Sequence, residues 1–182
     1  MKTHTNVPQL GPQLAVRGLS AGAQRGILTC DGLRYPCALG RWGRRAEKRE
    51  GDGATPIGRY ELREVFYRRD RLMRPRTLLP ITALDPSDGW CDDPHDRNYN
   101  RRVRHPYPAS AERLWRADHL YDLVVVIGYN DRPRDKGRGS AIFMHVAGVG
   151  LTPTGGCVAL RLPHLLRLIE RMSRGTAIRI FA

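Results

Sequence analysis

Residues 140–160 read SAIFMHVAGVGLTPTGGCVAL, and this stretch is the most informative part of the chain for both fold and chemistry. Ala141 to Val146 is apolar around a single histidine and predicts a strand, and Val158 to Leu160 predicts a second one. The glycine-rich loop between the two strands must return the chain across a short gap. Such a return can bring Cys157 next to His145.

A cysteine beside a histidine is typical of covalent catalysis. A free thiol has a pKa of about 8.5, so little thiolate exists at neutral pH. An adjacent imidazole can take the proton, and we expect His145 to lower the pKa of Cys157 into the range of about 3.5 to 7.5. Gly155 and Gly156 leave room for a substrate carbonyl, and the amides of Gly156 and Cys157 are candidates for an oxyanion hole. Either side chain alone is more often a core residue, so the prediction depends on the combination.

The rest of the sequence predicts a mainly β domain. Short apolar runs between turn signals predict strands at 13–18, 27–31, 34–39, 59–67, 77–84, 122–129, 141–146, 157–160 and 176–181. One helix is predicted from Pro163, with Gly175 just past its end. Ser110 is a candidate cap for a shorter second helix that runs to about Trp115. The length of 182 residues fits one domain, expected at 13–182 behind a flexible N-terminus at 1–12.

The stretch from Asp85 to Tyr107 has little periodicity and is predicted to be a long loop. Long loops in compact domains are usually functional or disordered, and Trp90 and Tyr99 argue against disorder. We therefore expect this loop to form one wall of a substrate cleft. A loop packed by its own aromatic side chains is the alternative.

The four cysteines occupy positions 30, 37, 91 and 157. Cys30 and Cys37 are predicted on one face of a hairpin, diagonal to each other, where a disulfide is possible but not favoured. A zinc site would need Cys91 and His95 together with distant cysteines, and no second paired ligand spacing is present. We expect neither a metal nor a cofactor.

Two sequence blocks resemble the L,D-transpeptidase family with the YkuD-type catalytic domain. The family signature is a histidine followed by Ser/Thr-x-Gly-Cys, and here His145 precedes Thr154-Gly155-Gly156-Cys157. The second block, residues 48–62, is similar to the Thr-Pro-x-Gly-x-Tyr segment of the family. The histidine precedes the cysteine by 157 minus 145, or twelve, positions, which is similar to a short-loop branch that carries Pro-Thr-x-Gly-Cys-Val-Ala-Leu. The resemblance implies a single β-sandwich or barrel domain.

The resemblance also implies roles for individual residues. Cys157 would be the nucleophile and His145 the base, with the carbonyl of Val146 orienting the imidazole. Tyr129 would line the donor site. The family usually has a polar residue two positions after the cysteine, where this chain has Ala159, and Arg161 is a candidate to replace it or else a solvated charge. The residues expected to contact substrate are Trp90, Tyr99, Asn100, Tyr129, Asn130, Thr154, Gly155 and Arg161.

The implied reaction joins peptidoglycan stem peptides through a thioester. The donor bond stays open, since the family usually links two diaminopimelate residues (3-3 links) and short-loop relatives include enzymes that join L-alanine to diaminopimelate (1-3 links). Sensitivity to carbapenems is expected. An amidase or endopeptidase on the same scaffold, in which water resolves the thioester, is one alternative, and a non-catalytic binding protein for polyanions is another.

A formal net charge of +13 favours polyanionic partners. The arginines are scattered and no nucleic-acid-binding motif is visible, so we expect peptidoglycan rather than nucleic acid as the partner. No apolar run predicts a membrane span, and the N-terminus has no recognisable signal peptide. The substrate nevertheless predicts a periplasmic or envelope location, and we expect a monomer.

Overall fold

The computed structural model describes residues 12–182, so the predicted flexible N-terminus lies, apart from Pro12, outside the described residues. The strands are β1 (Gln13–Gly18), β2 (Arg25–Cys30), β3 (Leu33–Ala38), β4 (Arg44–Arg45), β5 (Thr55–Pro56), β6 (Gly58–Tyr67), β7 (Ile81–Ala83), β8 (Asp88–Cys91), β9 (Arg101–Arg104), β10 (Ala111–Arg113), β11 (Leu123–Ile127), β12 (Phe143–Val146), β13 (Val158–Leu160) and β14 (Ala177–Ile180). One helix, α1, spans Leu162–Ile169 within this range, and a 3-10 turn spans Val149–Leu151.

Eight strands close into a barrel. The large sheet runs in the order β11-β12-β13-β3-β2-β1-β14-β6-β7, and β11 also pairs with β6. That extra pairing closes the ring and leaves β7 as a short parallel addition beside β6. Closure removes the unpaired sheet edges that would otherwise be exposed. The prediction of a mainly β, barrel-like domain with one helix before the last strand is confirmed.

Strand β11 is buried on both faces, and this explains its uninterrupted apolar sequence. Leu123, Val125 and Ile127 point into the barrel core, which α1 also enters. Val124 and Val126 alternate with them and belong to a second apolar cluster outside the barrel. The barrel therefore has an outer face that is buried as well.

The outer cluster lies beside a small antiparallel sheet of order β10-β8-β9. This sheet corrects two predictions, because Asp85–Tyr107 contains β8 and β9 rather than one long loop. The residues after Ser110 form β10, not a short helix. Ser110 does not cap a helix, since its carbonyl accepts a hydrogen bond from the amide of Asp92 that extends the β8–β10 pairing.

Three further predictions differ in detail. Helix α1 ends at Ile169, and Gly175, with φ at +86°, lies in the turn before β14. Only Ile81–Ala83 of the predicted strand at 77–84 is extended. In the β2–β3 hairpin Cys30 lies opposite Leu33 and Cys37 opposite Gly26, so the two thiols are not diagonal neighbours. All four cysteines are free and buried.

Candidate active site

The strand that carries His145 lies directly beside the strand that follows Cys157. Strands β12 and β13 pair in parallel, with His145 opposite Ala159 and Met144 opposite Val158. Parallel neighbours need a crossover, and residues 147–157 provide it. Because side chains alternate along a strand, Met144 and Val158 enter the barrel core. His145 and Cys157 consequently share the outer face.

The Cys157 thiol is held by the backbone of the segment that leads into β12. Its sulfur accepts a hydrogen bond from the amide of Phe143 and donates one to the carbonyl of Ala141, each at 3.3 Å. Burial raises the pKa of Cys157 to about 12, the charge of Glu112 adds to this, and the Phe143 hydrogen bond opposes it. The thiol is therefore neutral at rest, in contrast to the lowered thiol pKa expected from the sequence.

The imidazole of His145 is fixed by a backbone carbonyl. Its Nδ1 lies 2.8 Å from the oxygen of Val146. A carbonyl only accepts, so Nδ1 carries the proton of the neutral ring and Nε2 keeps the lone pair. Burial lowers the pKa of His145 to about 4, and the hydrogen bond to Val146 opposes this shift. The ring of Tyr121 packs against it edge-on, with centroids 5.2 Å apart.

The loop before Cys157 is tied together by Thr154. The Thr154 hydroxyl donates to the carbonyl of Cys157 at 2.7 Å and accepts from the amide of Gly156 at 3.1 Å. Gly156 has φ at +135°, and a Cβ there would lie 2.8 Å from the carbonyl oxygen of Ala54, so only glycine fits. The Gly156 amide is thus engaged within the loop rather than open to a substrate oxyanion.

A cavity of about 400 Å³ opens beside the two side chains. His145, Thr154, Gly155 and Cys157 line it among the residues predicted from the sequence. The wall also contains residues that the sequence prediction did not include: Arg41, Lys48, Glu50, Asp92, Glu112, Arg116 and Tyr121. A buried thiol with a neutral imidazole on the same wall can carry out acyl transfer through a covalent intermediate.

The family comparison identifies this fold. Residues 30–180 match the family model described as YkuD, the L,D-transpeptidase catalytic domain. The chain belongs to the YkuD L,D-transpeptidase family. The chain thus has the fold of an L,D-transpeptidase catalytic domain.

Two other comparisons accompany this match. A solved structure of L,D-transpeptidase 1 from Mycobacterium tuberculosis is 12% identical, with a TM-score of 0.41, and covers 94% of this chain. The chain spans 63% of the length of that protein. Comparison with curated protein sequences gives no significant match.

The upstream block of this YkuD domain supports the cysteine loop. Lys48 is buried, pairs with Asp52, and donates to the carbonyl of Ala54 at 2.6 Å. That same carbonyl faces Gly156. The sequence resemblance over residues 48–62 was the available signal for this support, although it did not single out Lys48.

Glu112 and Tyr121 form a second missed pair. The Tyr121 hydroxyl donates to the Glu112 carboxylate at 2.7 Å. Burial raises the pKa of Glu112, which the Tyr121 hydrogen bond and the charge of Arg116 oppose. Their strand and turn lie in a part of the sequence that was predicted as a helix and a connection, so no periodicity pointed to them.

Trp90 and Asn100, predicted to contact substrate, are buried and bonded to each other. Trp90 Nε1 donates to Asn100 Oδ1 at 2.9 Å, and the amide of Ala141 donates to the same oxygen at 3.1 Å. Asn100 Nδ2 donates to the carbonyls of Tyr129 and Asn130, at 3.0 and 2.8 Å. Asn100 thus joins the small sheet to Ala141, whose carbonyl accepts the Cys157 thiol.

The other predicted contact residues, Tyr99, Tyr129, Asn130 and Arg161, also lie outside the lining of this cavity. Tyr99 is buried, donates to Glu50, and accepts from the amide of Gly139. The hydroxyl of Tyr129 donates to the carbonyl of Arg138, and the side chain of Asn130 closes the turn at 130–139. Arg161 is exposed at the start of α1.

A second cavity of about 220 Å³ is lined by Trp90, Asn100 and Tyr129. Ile142 is shared between the linings of the two cavities. Within residues 12–182 no group of His, Cys, Asp and Glu side chains is arranged to hold a metal ion. The one described helix is too short to cross a membrane.

Proposed function

We propose that the chain is a cysteine-dependent peptidoglycan L,D-transpeptidase that works through a thioester. The observation that carries the proposal is the buried thiol of Cys157 beside His145 on one cavity wall, with its sulfur held between Phe143 and Ala141. Family membership supports the substrate class. The proposed site consists of Cys157 as nucleophile, His145 as base, and Val146 as the residue that orients His145.

The first step transfers a proton as the carbon–sulfur bond forms. Since thiol and imidazole are both neutral at rest, Nε2 of His145 takes the Cys157 proton while the sulfur attacks the carbonyl of an L,D-peptide bond. The carbonyl oxygen becomes an oxyanion. When the tetrahedral intermediate collapses, the C–N bond breaks, His145 returns the proton to the leaving amine, and a thioester remains.

The second step reverses the roles. The amine of a neighbouring stem attacks the thioester, His145 takes its proton, and the sulfur leaves and regains a proton as the new amide forms. The amide of Cys157 is the remaining candidate donor to the oxyanion, because the Gly156 amide is bonded to Thr154. For Gly156 to contribute, its hydrogen bond to Thr154 has to be exchanged for one to the substrate.

The donor bond defines two versions of this function. Links between two diaminopimelate residues and links from L-alanine to diaminopimelate both satisfy the chemistry of the site. Either substrate lies in the cell envelope, so we propose that the enzyme works in the periplasm or wall. Acylation by a carbapenem, which offers Cys157 a strained amide, follows from the same mechanism.

The proposal is tested with purified disaccharide peptides and analysis of the products by mass. We expect cross-linked dimers with the intact enzyme, and none with Cys157→Ala, whose cavity is otherwise unchanged. Thr29→Ala, a half-buried substitution on β2 outside the cavity lining, serves as the control variant. Shortened monomers without dimers would instead identify an amidase or endopeptidase. Binding to the polymer that survives Cys157→Ala, with no turnover by the intact enzyme, would identify a binding protein.

A further inference from the structure

Arg41 lies at the cavity with its backbone fixed on both sides. Its amide donates to the carbonyl of Thr154 at 2.9 Å, and its own carbonyl accepts from Gln24 Nε2 at 2.8 Å. The preceding residue, Gly40, forms a β-bridge with Thr154. Arg41 is therefore attached to the loop that carries the nucleophile.

The side chain of Arg41 reaches towards the space in front of Gly155. Its aliphatic part packs on Gly53, where a Cβ would lie 3.0 Å from Cγ and 3.3 Å from Cδ of Arg41. At Gly155 a Cβ would have only one atom within 4 Å, Nη2 of Arg41, at 3.9 Å. The absence of a side chain at Gly155 thus leaves the guanidinium accessible from the cavity.

Two cations of the cavity, Arg41 and Arg49, have no carboxylate partner among the described residues, and of these two Arg41 is the one beside Gly155. Lys48 pairs with Asp52, and Arg116 pairs with Asp118 and Glu112. Among the described residues, no carboxylate lies within ion-pair distance of the Arg41 guanidinium. A guanidinium presents paired N–H donors that match a carboxylate in shape and charge.

We propose that Arg41 binds the terminal carboxylate of the D-residue that leaves during acylation. This inference rests on the proposed function. In a tetrapeptide donor for 3-3 links, the terminal carboxylate belongs to the residue directly after the scissile bond, and one residue spans about 3.8 Å. A group that holds it must therefore lie near the nucleophile, and Arg41 lies beside Gly155, two residues before Cys157, on the wall of the same cavity. Such a contact selects peptides that end at this residue over peptides that continue.

The test compares two donor tetrapeptides that differ only in the terminal group, a free acid or its amide. We expect the intact enzyme to prefer the acid by about ten- to hundred-fold in kcat/KM, as is typical of a charged hydrogen-bonded pair. Arg41→Gln should raise KM for the acid and remove the preference, while the rate with the amide stays unchanged. Arg41→Lys should keep part of the preference. Arg34→Gln, an exposed substitution on β3, is the control.

Four outcomes would overturn the inference. Equal rates with acid and amide for the intact enzyme would do so, and so would an equal loss on both donors in Arg41→Gln; the proposed function would stand in either case. A preference in the intact enzyme that Arg41→Gln leaves in place would assign the carboxylate to another group. If neither donor acylates Cys157, as read by intact mass, the inference and the proposed function both fail.

Discussion

The loop around Cys157 and the segment from Asp85 to Tyr107 contribute to the site in opposite ways. The cysteine loop presents side chains to the cavity, with Thr154, Gly155 and Cys157 on its wall. The other segment presents almost none, because Trp90 and Asn100 bond to each other and to backbone. It acts on the thiol indirectly, because Asn100 accepts a hydrogen bond from the amide of Ala141 and the carbonyl of Ala141 accepts one from Cys157.

Polar and aromatic side chains near an active site can serve two purposes: they can contact a ligand, or they can hold neighbouring groups in position. A buried asparagine must satisfy its donors and acceptors, and Asn100 does so on four protein groups. A group satisfied in this way has no capacity left for a ligand, but it fixes the position of its partners. We infer that Asn100 positions Ala141, a residue with φ at +52°, and with it the hydrogen bond that orients Cys157.

Asn100→Ala should have the largest effect on stability and on acylation. The substitution leaves the Trp90 indole and the Ala141 amide without an acceptor, and each buried unsatisfied group costs about 1 to 3 kcal/mol. We expect the free energy of unfolding to fall by about 3 kcal/mol. The rate of carbapenem acylation at Cys157, measured well below the melting temperature, should fall about a hundred-fold because the thiol loses its fixed position.

Asn98→Ala is the matched control in the same segment. Asn98 donates to the Tyr107 hydroxyl at 2.8 Å and is half-buried, so its loss should cost about 1 kcal/mol and leave acylation unchanged. If Asn100→Ala destabilises the fold but acylates at the normal rate, Asn100 has a structural role only.

The two regions also differed in how far the sequence predicted them. The β12–β13 stretch consists of two apolar strands joined by a glycine-rich loop, and this pattern predicts that His145 and Cys157 lie on the wall of one site. The protonation states of His145 and Cys157 could not be predicted in this way. They depend on burial beside the small β10-β8-β9 sheet, whose strands are short and largely polar. Arg101-Arg102-Val103-Arg104 forms β9 with only Val103 buried, and such a pattern gives little indication of a strand.

The pH dependence of stability is a second test, because His145 is neutral in the folded protein. Its pKa is about 4 in the fold against an ordinary value of 6.5, so between these values the unfolded chain binds a proton that the folded chain does not. Stability should therefore decrease as the pH falls from 6.5 to 4, by roughly 3 kcal/mol from this residue. Urea unfolding across this range, compared with His145→Gln, isolates the contribution. A variant whose stability falls just as steeply would mean that His145 is not held neutral by burial.

Arg161→Gln should have the smallest effect on stability and on acylation. It tests the sequence-based prediction that Arg161 contacts substrate. Arg161 was a candidate for the polar position that Ala159 leaves empty, yet it is exposed where α1 begins, and Ala159 lines the cavity without it. Exposed substitutions of this kind usually change stability by less than about 0.5 kcal/mol. We expect unchanged stability and unchanged acylation of Cys157 by tetrapeptide donors. A loss of acylation at normal stability would mean that Arg161 reaches the substrate once it is bound, and that the cavity extends to the start of α1 during the reaction.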